Sequence, residues 1–170
     1  MGIISRFPAG ATKPYIEEIY NSDGAFIDAK MYGHEEIRSY AFYYCFNLAS
    51  ISLPSGLTSI GDSSFYECTN LSLTSLPSGL TSIGNFAFYD CTGLSLTSLP
   101  SGITSIGNFA FYGCTGLVSL TFEGTPESIG NGAFSDCNNL TTINVPWAEG
   151  AVANAPWGAT NATIHYGYTG

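Results

Sequence analysis

Cationic side chains are nearly absent from this 170-residue sequence. It holds four Lys and Arg residues against 13 Asp and Glu, and all four bases lie within the first 38 positions. Residues 39–170 therefore contain no Lys or Arg. Nucleic-acid binding and docking on an anionic bilayer both need clustered cations near the phosphate groups. The main part of the chain is unsuited to either role.

Long hydrophobic runs and histidine are scarce as well. The longest purely apolar run covers residues 40–46, whereas a membrane-spanning helix needs about 20 residues, so we predict no membrane insertion. No His, Lys or Arg lies between Ser39 and Ile164, so most of the chain lacks the usual proton carrier at neutral pH. His34 and His165 stand near opposite ends, which argues against a shared site. We therefore expect no enzyme, no catalytic residue, no metal and no cofactor.

A 23-residue repeat organises what is present. The cysteines are evenly spaced at Cys45, Cys68, Cys91, Cys114 and Cys137. The same period carries Ile37, Ile60, Ile83, Ile106 and Ile129, and also Leu48, Leu71, Leu94, Leu117 and Leu140. It carries Phe42, Phe65, Phe88, Phe111 and Phe134 as well. Such self-similarity is typical of a solenoid, in which each repeat stacks on its neighbours.

Each repeat divides into short pieces with different local patterns. Residues 48–53 alternate apolar and polar side chains as a half-buried strand does, and Pro-Ser-Gly at 54–56 ends that strand. Residues 57–60 form a second short extended piece. Phe65 and Cys68 then lie three residues apart, which predicts a single helical or 3₁₀ turn. Stacked in register, five such repeats give parallel strands about 4.8 Å apart around a shared apolar core.

The repeat resembles the BspA-like leucine-rich repeat, whose pattern runs approximately LxxIxIPxxVTxIGxxAFxxCxxL. The matching residues of one copy are Leu94, Leu99-Pro100, Ile103-Thr104-Ser105-Ile106-Gly107, Ala110-Phe111, Cys114 and Leu117. The resemblance covers about residues 37–146. It implies an α/β leucine-rich-repeat solenoid, mainly β, capped at both ends. It also implies a bacterial surface or secreted protein that binds host proteins, matrix or other cells, although similar domains occur in phages and protists.

The N-terminal sequence does not fit the repeat that occupies residues 37–146. Residues 15–20 and 25–31 are typical of two strands, and Asn-Ser-Asp-Gly at 21–24 is typical of the turn between them. A solenoid needs a terminal unit that covers the open end of its core. We therefore assign residues 1–36 to an N-terminal tail and cap.

The C-terminal sequence departs from the repeat in another way. Residues 146–161 are rich in Pro, Gly and Ala, and a closing edge strand is predicted over 162–168, so we assign residues 147–170 to a C-terminal cap. Residues 1–8 and 155–163 are similar to segments of phage or prophage tail-associated proteins. This likeness implies an alternative role as a structural or tail-associated component of a phage particle, and hence a location in the virion.

The first residues do not form a secretory signal. After Met1 the apolar stretch is only Gly-Ile-Ile, followed by Ser5 and Arg6, which is short of the roughly 7–15 apolar residues that such a signal contains. Either a leader lies outside this chain or export does not use that route.

The cysteines are interpreted as buried free thiols that pack as small hydrophobic side chains. Zinc ligands converge from short spacings, and a period of 23 supplies none. Disulfides between neighbouring repeats are sterically unfavourable, because equivalent side chains in a stack point the same way.

Two rows of aromatic residues are candidates for binding a partner. A tyrosine follows the buried phenylalanine in four successive repeats, and Tyr40, Phe86 and Phe109 form an interrupted row three residues earlier. Exposed rings suit contacts with protein or sugar; the alternative, which we favour, is that they shield the outer turns. The candidate residues are Tyr43, Tyr66, Tyr89, Tyr112, Phe86 and Phe109.

Leu73 and Leu96 break the alternation of the strand. In strict register they would point outward, and Thr74 and Thr97 would take the core position of Ile51. Either a bulge turns both leucines inward, which we favour, or they form a small apolar patch that binds a partner.

The sequence as a whole predicts a non-enzymatic binding or adhesion module. Its partner would be a protein or a surface glycan, met at the cell surface or outside the cell. The oligomeric state stays open.

Overall fold

The computed structural model describes residues 2–5 and 15–170, and those ranges contain β-strands and turns but no helix. Accordingly, no helix of the described residues has the length and apolar character to cross a membrane. The strands are β1 (Gly2–Ser5), β2 (Tyr15–Tyr20), β3 (Phe26–Tyr32), β4 (Glu36–Ile37), β5 (Ser50–Ser52), β6 (Ser59–Ile60), β7 (Ser82–Ile83), β8 (Ser98–Leu99), β9 (Ser105–Ile106), β10 (Ser119–Phe122), β11 (Ser128–Ile129), β12 (Thr142–Val145) and β13 (Thr163–Tyr166).

The strands stack in two columns along the solenoid. One column is a five-stranded parallel sheet in the order β11-β9-β7-β6-β4, in which each isoleucine pairs with the isoleucine one repeat away. The other column holds the parallel sheet β13-β12-β10-β8 and the mixed sheet β1-β2-β3-β5. We call each repeat a rung. The predicted mainly-β parallel solenoid is confirmed.

The segment between the two columns is a chain of tight turns, so the predicted helical or 3₁₀ turn is not found in the described residues. Its backbone N–H groups alternate between acceptors on the next rung and acceptors within the same rung. The N–H of Phe42 donates to Ser64 O on the next rung at 2.7 Å, whereas the N–H of Tyr43 donates to Tyr40 O within its own rung at 3.3 Å. Tyr40 and Tyr44 are left-handed, with φ of 62° and 58°. Left-handed residues stop a helix from propagating, and here they turn every second N–H along the solenoid axis.

A stack of phenylalanine rings runs through the core. The rings of Phe42, Phe65, Phe88, Phe111 and Phe134 lie 5.1 to 5.3 Å apart with interplanar angles of 3° to 7°. All five side chains are buried. Because each ring occupies the same place on its rung, burial and ring stacking act together along the whole solenoid.

The cysteines form a second internal column and do more than fill space. The thiol of Cys68 donates to Phe42 O at 3.0 Å, and Cys91, Cys114 and Cys137 each donate in the same way to the phenylalanine carbonyl of the preceding rung. These four thiols are buried and Cys45 is half-buried, and all five are free as predicted. Burial raises the pKa of Cys68 and Cys137 to about 12.

A third column of polar side chains links the rungs on the outside. Asp62 accepts the backbone N–H of Asn85 at 2.7 Å, Asn85 accepts that of Asn108 at 2.9 Å, and Asn108 accepts that of Asn131 at 2.8 Å. Each side chain thereby satisfies a donor that the turn would otherwise leave without a protein partner.

Leu73 and Leu96 point into the core, as the bulge hypothesis predicts. They are 9% and 2% exposed, whereas Thr74 and Thr97 are exposed. Among the described residues, the second column has no strand on the rung between β5 and β8, because β6 and β7 belong to the first column. Burying a leucine contributes about 1.5–3 kcal/mol, which outweighs the roughly 0.5–1.5 kcal/mol of a lost ladder hydrogen bond.

The N-terminal hairpin, β2–β3, continues the stack at one end. It is antiparallel as predicted, and β3 then pairs in parallel with β5. The ring of Phe26 extends the phenylalanine column, 6.3 Å from Phe42.

The C-terminal residues add a sixth turn, one more than the five periods of the sequence. The predicted edge strand is β13, which pairs in parallel with β12. The N–H of Phe134 donates to Trp157 O at 2.9 Å, and Trp157 is almost fully buried. The 23-residue period of the sequence does not reveal this turn, because the turn holds none of the regularly spaced Ile, Phe and Cys residues.

The thiols offer a direct test of this packing. In native buffer a disulfide-exchange reagent should label about one thiol per chain, that of Cys45, because Cys45 is half-buried and the reagent cannot reach the other four thiols, which are buried. In denaturant all five should react rapidly. Five rapidly reacting thiols in native buffer would contradict the internal column, and fewer than five in denaturant would indicate disulfides.

Candidate binding surface

One surface of the turn segment is covered by aromatic side chains, which we call the aromatic ribbon. Its members are Tyr40, Tyr43, Tyr44, Phe46, Tyr66, Phe86, Tyr89, Phe109 and Tyr112. They lie outside the phenylalanine column because they occupy turn positions whose side chains face away from the core.

The central column of the ribbon is a tyrosine stack. The rings of Tyr66 and Tyr89 lie 4.6 Å apart at 3°, and those of Tyr89 and Tyr112 lie 4.5 Å apart at 6°. Tyr43 continues the column, 5.0 Å from Tyr66 and tilted by 35°. Tyr66, Tyr89 and Tyr112 are half-buried, and their ring faces cover one another.

A second column, three residues earlier in each rung, has a strained backbone. Tyr40, Phe86 and Phe109 have φ of 62°, 55° and 53°, and the rings of Phe86 and Phe109 stack at 5.4 Å. A side chain with a Cβ in the left-handed region costs roughly 1–2 kcal/mol. The fifth rung places Gly132 at the equivalent position, which is the residue that the backbone alone would favour.

The first rung carries the most exposed rings. Tyr40 is 61% exposed, Phe46 is 47% exposed, and Tyr43 and Tyr44 are 40% and 43% exposed. Tyr44 also has a positive φ, and its ring lies 4.3 Å from that of Tyr43 and 5.4 Å from that of Phe46. These four side chains form a contiguous aromatic patch at the N-terminal end of the ribbon.

Carboxylates border the tyrosine column. The positions equivalent to Tyr44 hold Glu67, Asp90, Gly113 and Asp136 on the following rungs. Gly113 leaves room for the neighbouring carboxylate, since a Cβ built there would lie 1.9 Å from Asp90 Oδ1. The Asp90 side chain therefore occupies the space over Gly113.

The charges on this border influence one another. Burial, and then the negative charge of Asp136, raises the pKa of Asp90. Tyr112 donates a hydrogen bond from its hydroxyl to Asp136 Oδ2, and that bond raises the pKa of Tyr112 to about 12. The hydroxyl stays protonated at neutral pH and remains a donor.

The structure brings most of the predicted site residues together on one surface, but it buries two of them in the core. Phe86 is 36% exposed, and Phe109 is half-buried beside it. Leu73 and Leu96 lie in the core, so they form no patch on the sheet surface. Their burial accompanies the interruption of the second strand column described above.

Sequence reasoning missed Tyr44, Phe46 and the carboxylate border. The period of 23 could have revealed the border, because Tyr44, Glu67, Asp90 and Asp136 share one register. They were overlooked because the residue type changes along that column.

No group of three or more His, Cys, Asp or Glu side chains within residues 2–5 and 15–170 is placed to hold a metal ion.

Comparisons with known proteins agree with this architecture. The BspA type leucine rich repeat region matches residues 35–152 in six copies, against the five repeats predicted over residues 37–146. No curated protein sequence matches the chain.

Two solved bacterial structures are similar to this one. The T. pallidum leucine rich repeat protein is 26% identical with a TM-score of 0.68, over 95% of this chain and 82% of its own. The pneumococcal vaccine antigen PcpA is 25% identical with a TM-score of 0.59, over 81% of this chain and 33% of its own. With the repeat pattern, the parallel columns and these matches in agreement, the chain belongs to the BspA-type leucine-rich repeat family.

Proposed function

We propose that this protein is a non-enzymatic binding module that engages a protein or a surface glycan through the aromatic ribbon. The observation that carries the proposal is that Tyr40, Tyr44 and Phe86 combine a left-handed backbone with exposed aromatic side chains. Proteins in this family are repeat scaffolds that generally bind other proteins.

The turn geometry accounts for the left-handed backbone at these three positions, but it does not account for the aromatic side chains that occupy them. Each has a left-handed φ, which costs roughly 1–2 kcal/mol, and each leaves 36% to 61% of its surface exposed. Glycine or asparagine would adopt the same φ at lower cost. A bulky residue kept at a left-handed position is a feature of functional sites, and contiguous exposed aromatic surface is a feature of binding sites.

Tyr66, Tyr89 and Tyr112 have a different role in this proposal. Their faces are stacked and half-buried, so they shield the turns and support the ribbon. The proposal therefore assigns shielding to the stacked column and binding to the strained and exposed residues.

We further propose a location at the cell surface or outside the cell. The support is the likeness to a vaccine antigen of the pneumococcus, since antibodies act outside cells. A role in adhesion would follow if the partner were a surface component of another cell.

The ends of the solenoid are proposed to be closed by residues 1–36 and 147–170. The N-terminal hairpin covers one end of the phenylalanine column with Phe26. Trp147 and Trp157 pack against Phe122 at the other end, with ring centroids 5.2 and 6.2 Å away. Terminal units of this kind keep a solenoid soluble.

Replacing the three strained aromatic residues tests the binding proposal. In the triple variant Tyr40→Asn, Tyr44→Asn and Phe86→Asn, the free energy of unfolding should stay within about 1 kcal/mol of the original, because asparagine tolerates a left-handed backbone and offsets the lost ring contacts. Binding to a partner identified on an array of purified proteins and glycans should weaken more than tenfold.

Two control variants accompany that measurement. Val118→Ser removes an apolar side chain that is 59% exposed outside the ribbon, and it should leave binding unchanged. The variant Tyr66→Ser, Tyr89→Ser and Tyr112→Ser should lose about 1 kcal/mol of stability for each stacked pair. A folded triple asparagine variant that keeps full affinity would refute the ribbon as the binding surface.

Limited trypsin digestion tests the N-terminal cap. Arg38 is highly exposed and no Lys or Arg follows it, so digestion should leave residues 39–170 as one fragment. That fragment loses β3 and Phe26, and the exposed edge of its first rung should lower the melting temperature or cause aggregation. If the fragment melts at the temperature of the intact chain, residues 1–36 are not a cap.

A further inference from the structure

We propose that the aromatic ribbon recognises a basic protein segment, an extended stretch rich in lysine and arginine. This inference rests on the proposed function and names the chemistry of the partner.

The geometry of the rings limits how a ligand can contact them. Within the tyrosine stack, the ring faces between neighbours are covered at 4.5 to 5.0 Å, so along the column the partner meets ring edges and hydroxyl groups. Sugars stack on ring faces, and such faces are free only at the ends of a stack. The ribbon is therefore better suited to hydrogen-bond donors than to a pyranose ring.

The carboxylate border supplies the matching acceptors. Glu67, Asp90 and Asp136 lie beside the tyrosine column at the same position of their rungs. With rungs about 4.8 Å apart, Asp136 lies roughly 14 Å from Glu67 along the solenoid, and alternate side chains of an extended peptide repeat at about 6.8 Å. Two or three basic side chains of one strand therefore span this border.

Within residues 2–5 and 15–170, no cation pairs with these carboxylates. The ion pairs Lys30–Glu17 and Arg38–Glu36 both lie N-terminal to the border, and residues 39–170 contain no Lys or Arg. A cation bound on the solvent side of Asp90 and Asp136 would relieve the repulsion between the two carboxylates, which contributes to the raised pKa of Asp90.

The end of the tyrosine column offers one further contact. No ring follows Tyr112 on the next rung, where Ser135 stands. A guanidinium or ammonium group bound to Asp136 can therefore lie against the terminal ring as a cation–π contact.

Fluorescence anisotropy with a labelled octalysine peptide tests the proposal, with an uncharged Gly-Ser peptide of equal length as a reference. We expect octalysine to bind and the uncharged peptide not to bind. In the variant Glu67→Gln, Asp90→Asn and Asp136→Asn, the affinity for octalysine should fall about tenfold or more.

A matched variant removes the same net charge elsewhere. Asp23, Glu127 and Glu149 are exposed carboxylates outside the border, and replacing them by Asn, Gln and Gln should change the affinity by less than about threefold. The thiol titration in native buffer verifies that each variant is folded, and the single variant Asp90→Asn serves if the triple variant is not.

Equal losses in the two charge variants would show unspecific attraction to an acidic protein and overturn the proposal. So would the absence of octalysine binding. If octalysine does not bind while an array partner still depends on Tyr40, Tyr44 and Phe86, the basic partner is refuted and the binding function stands. If the array partner does not depend on them either, the proposed function has failed independently.

Discussion

The spacing between rungs, about one strand separation, is the constraint on which the rest of the structure depends. Each internal contact is repeated from rung to rung, so a side chain must fit both its neighbours and the equivalent side chains one rung away. The phenylalanine rings satisfy this by stacking at 5.1 to 5.3 Å. The cysteine thiols satisfy it by donating to the carbonyl one rung below.

The same constraint arranges the surface. A side chain that faces outward is repeated at the rung spacing, so an exposed residue becomes a column, and neighbouring columns become a ribbon. Left-handed turn positions place Tyr40, Phe86 and Phe109 in one such column, and the carboxylates beside Tyr89 and Tyr112 in another. A binding surface on this scaffold therefore consists of whole columns, and the type of side chain can change from rung to rung along a column.

The sequence predicted what depends on periodicity and much less of what depends on backbone conformation. The strand columns, the buried Phe and Cys residues and the N-terminal hairpin follow from spacing and local pattern. The turn around Phe65 was misjudged because a three-residue spacing fits a helical turn and a chain of tight turns equally well. The thiol donors and the strain at Tyr40 depend on φ angles and carbonyl directions, which residue types do not reveal.

Deletion of one whole rung tests the central claim that register between equivalent residues holds the fold together. Removing residues 84–106 joins Ile83 to Gly107 and leaves every column in register, so a shortened solenoid should still unfold cooperatively on heating. Removing residues 84–95 shifts all following rungs out of register and should abolish that cooperative transition, as followed by circular dichroism. If both deletions unfold alike, or if only the shorter deletion keeps a cooperative transition, stacking in register is not what stabilises this protein.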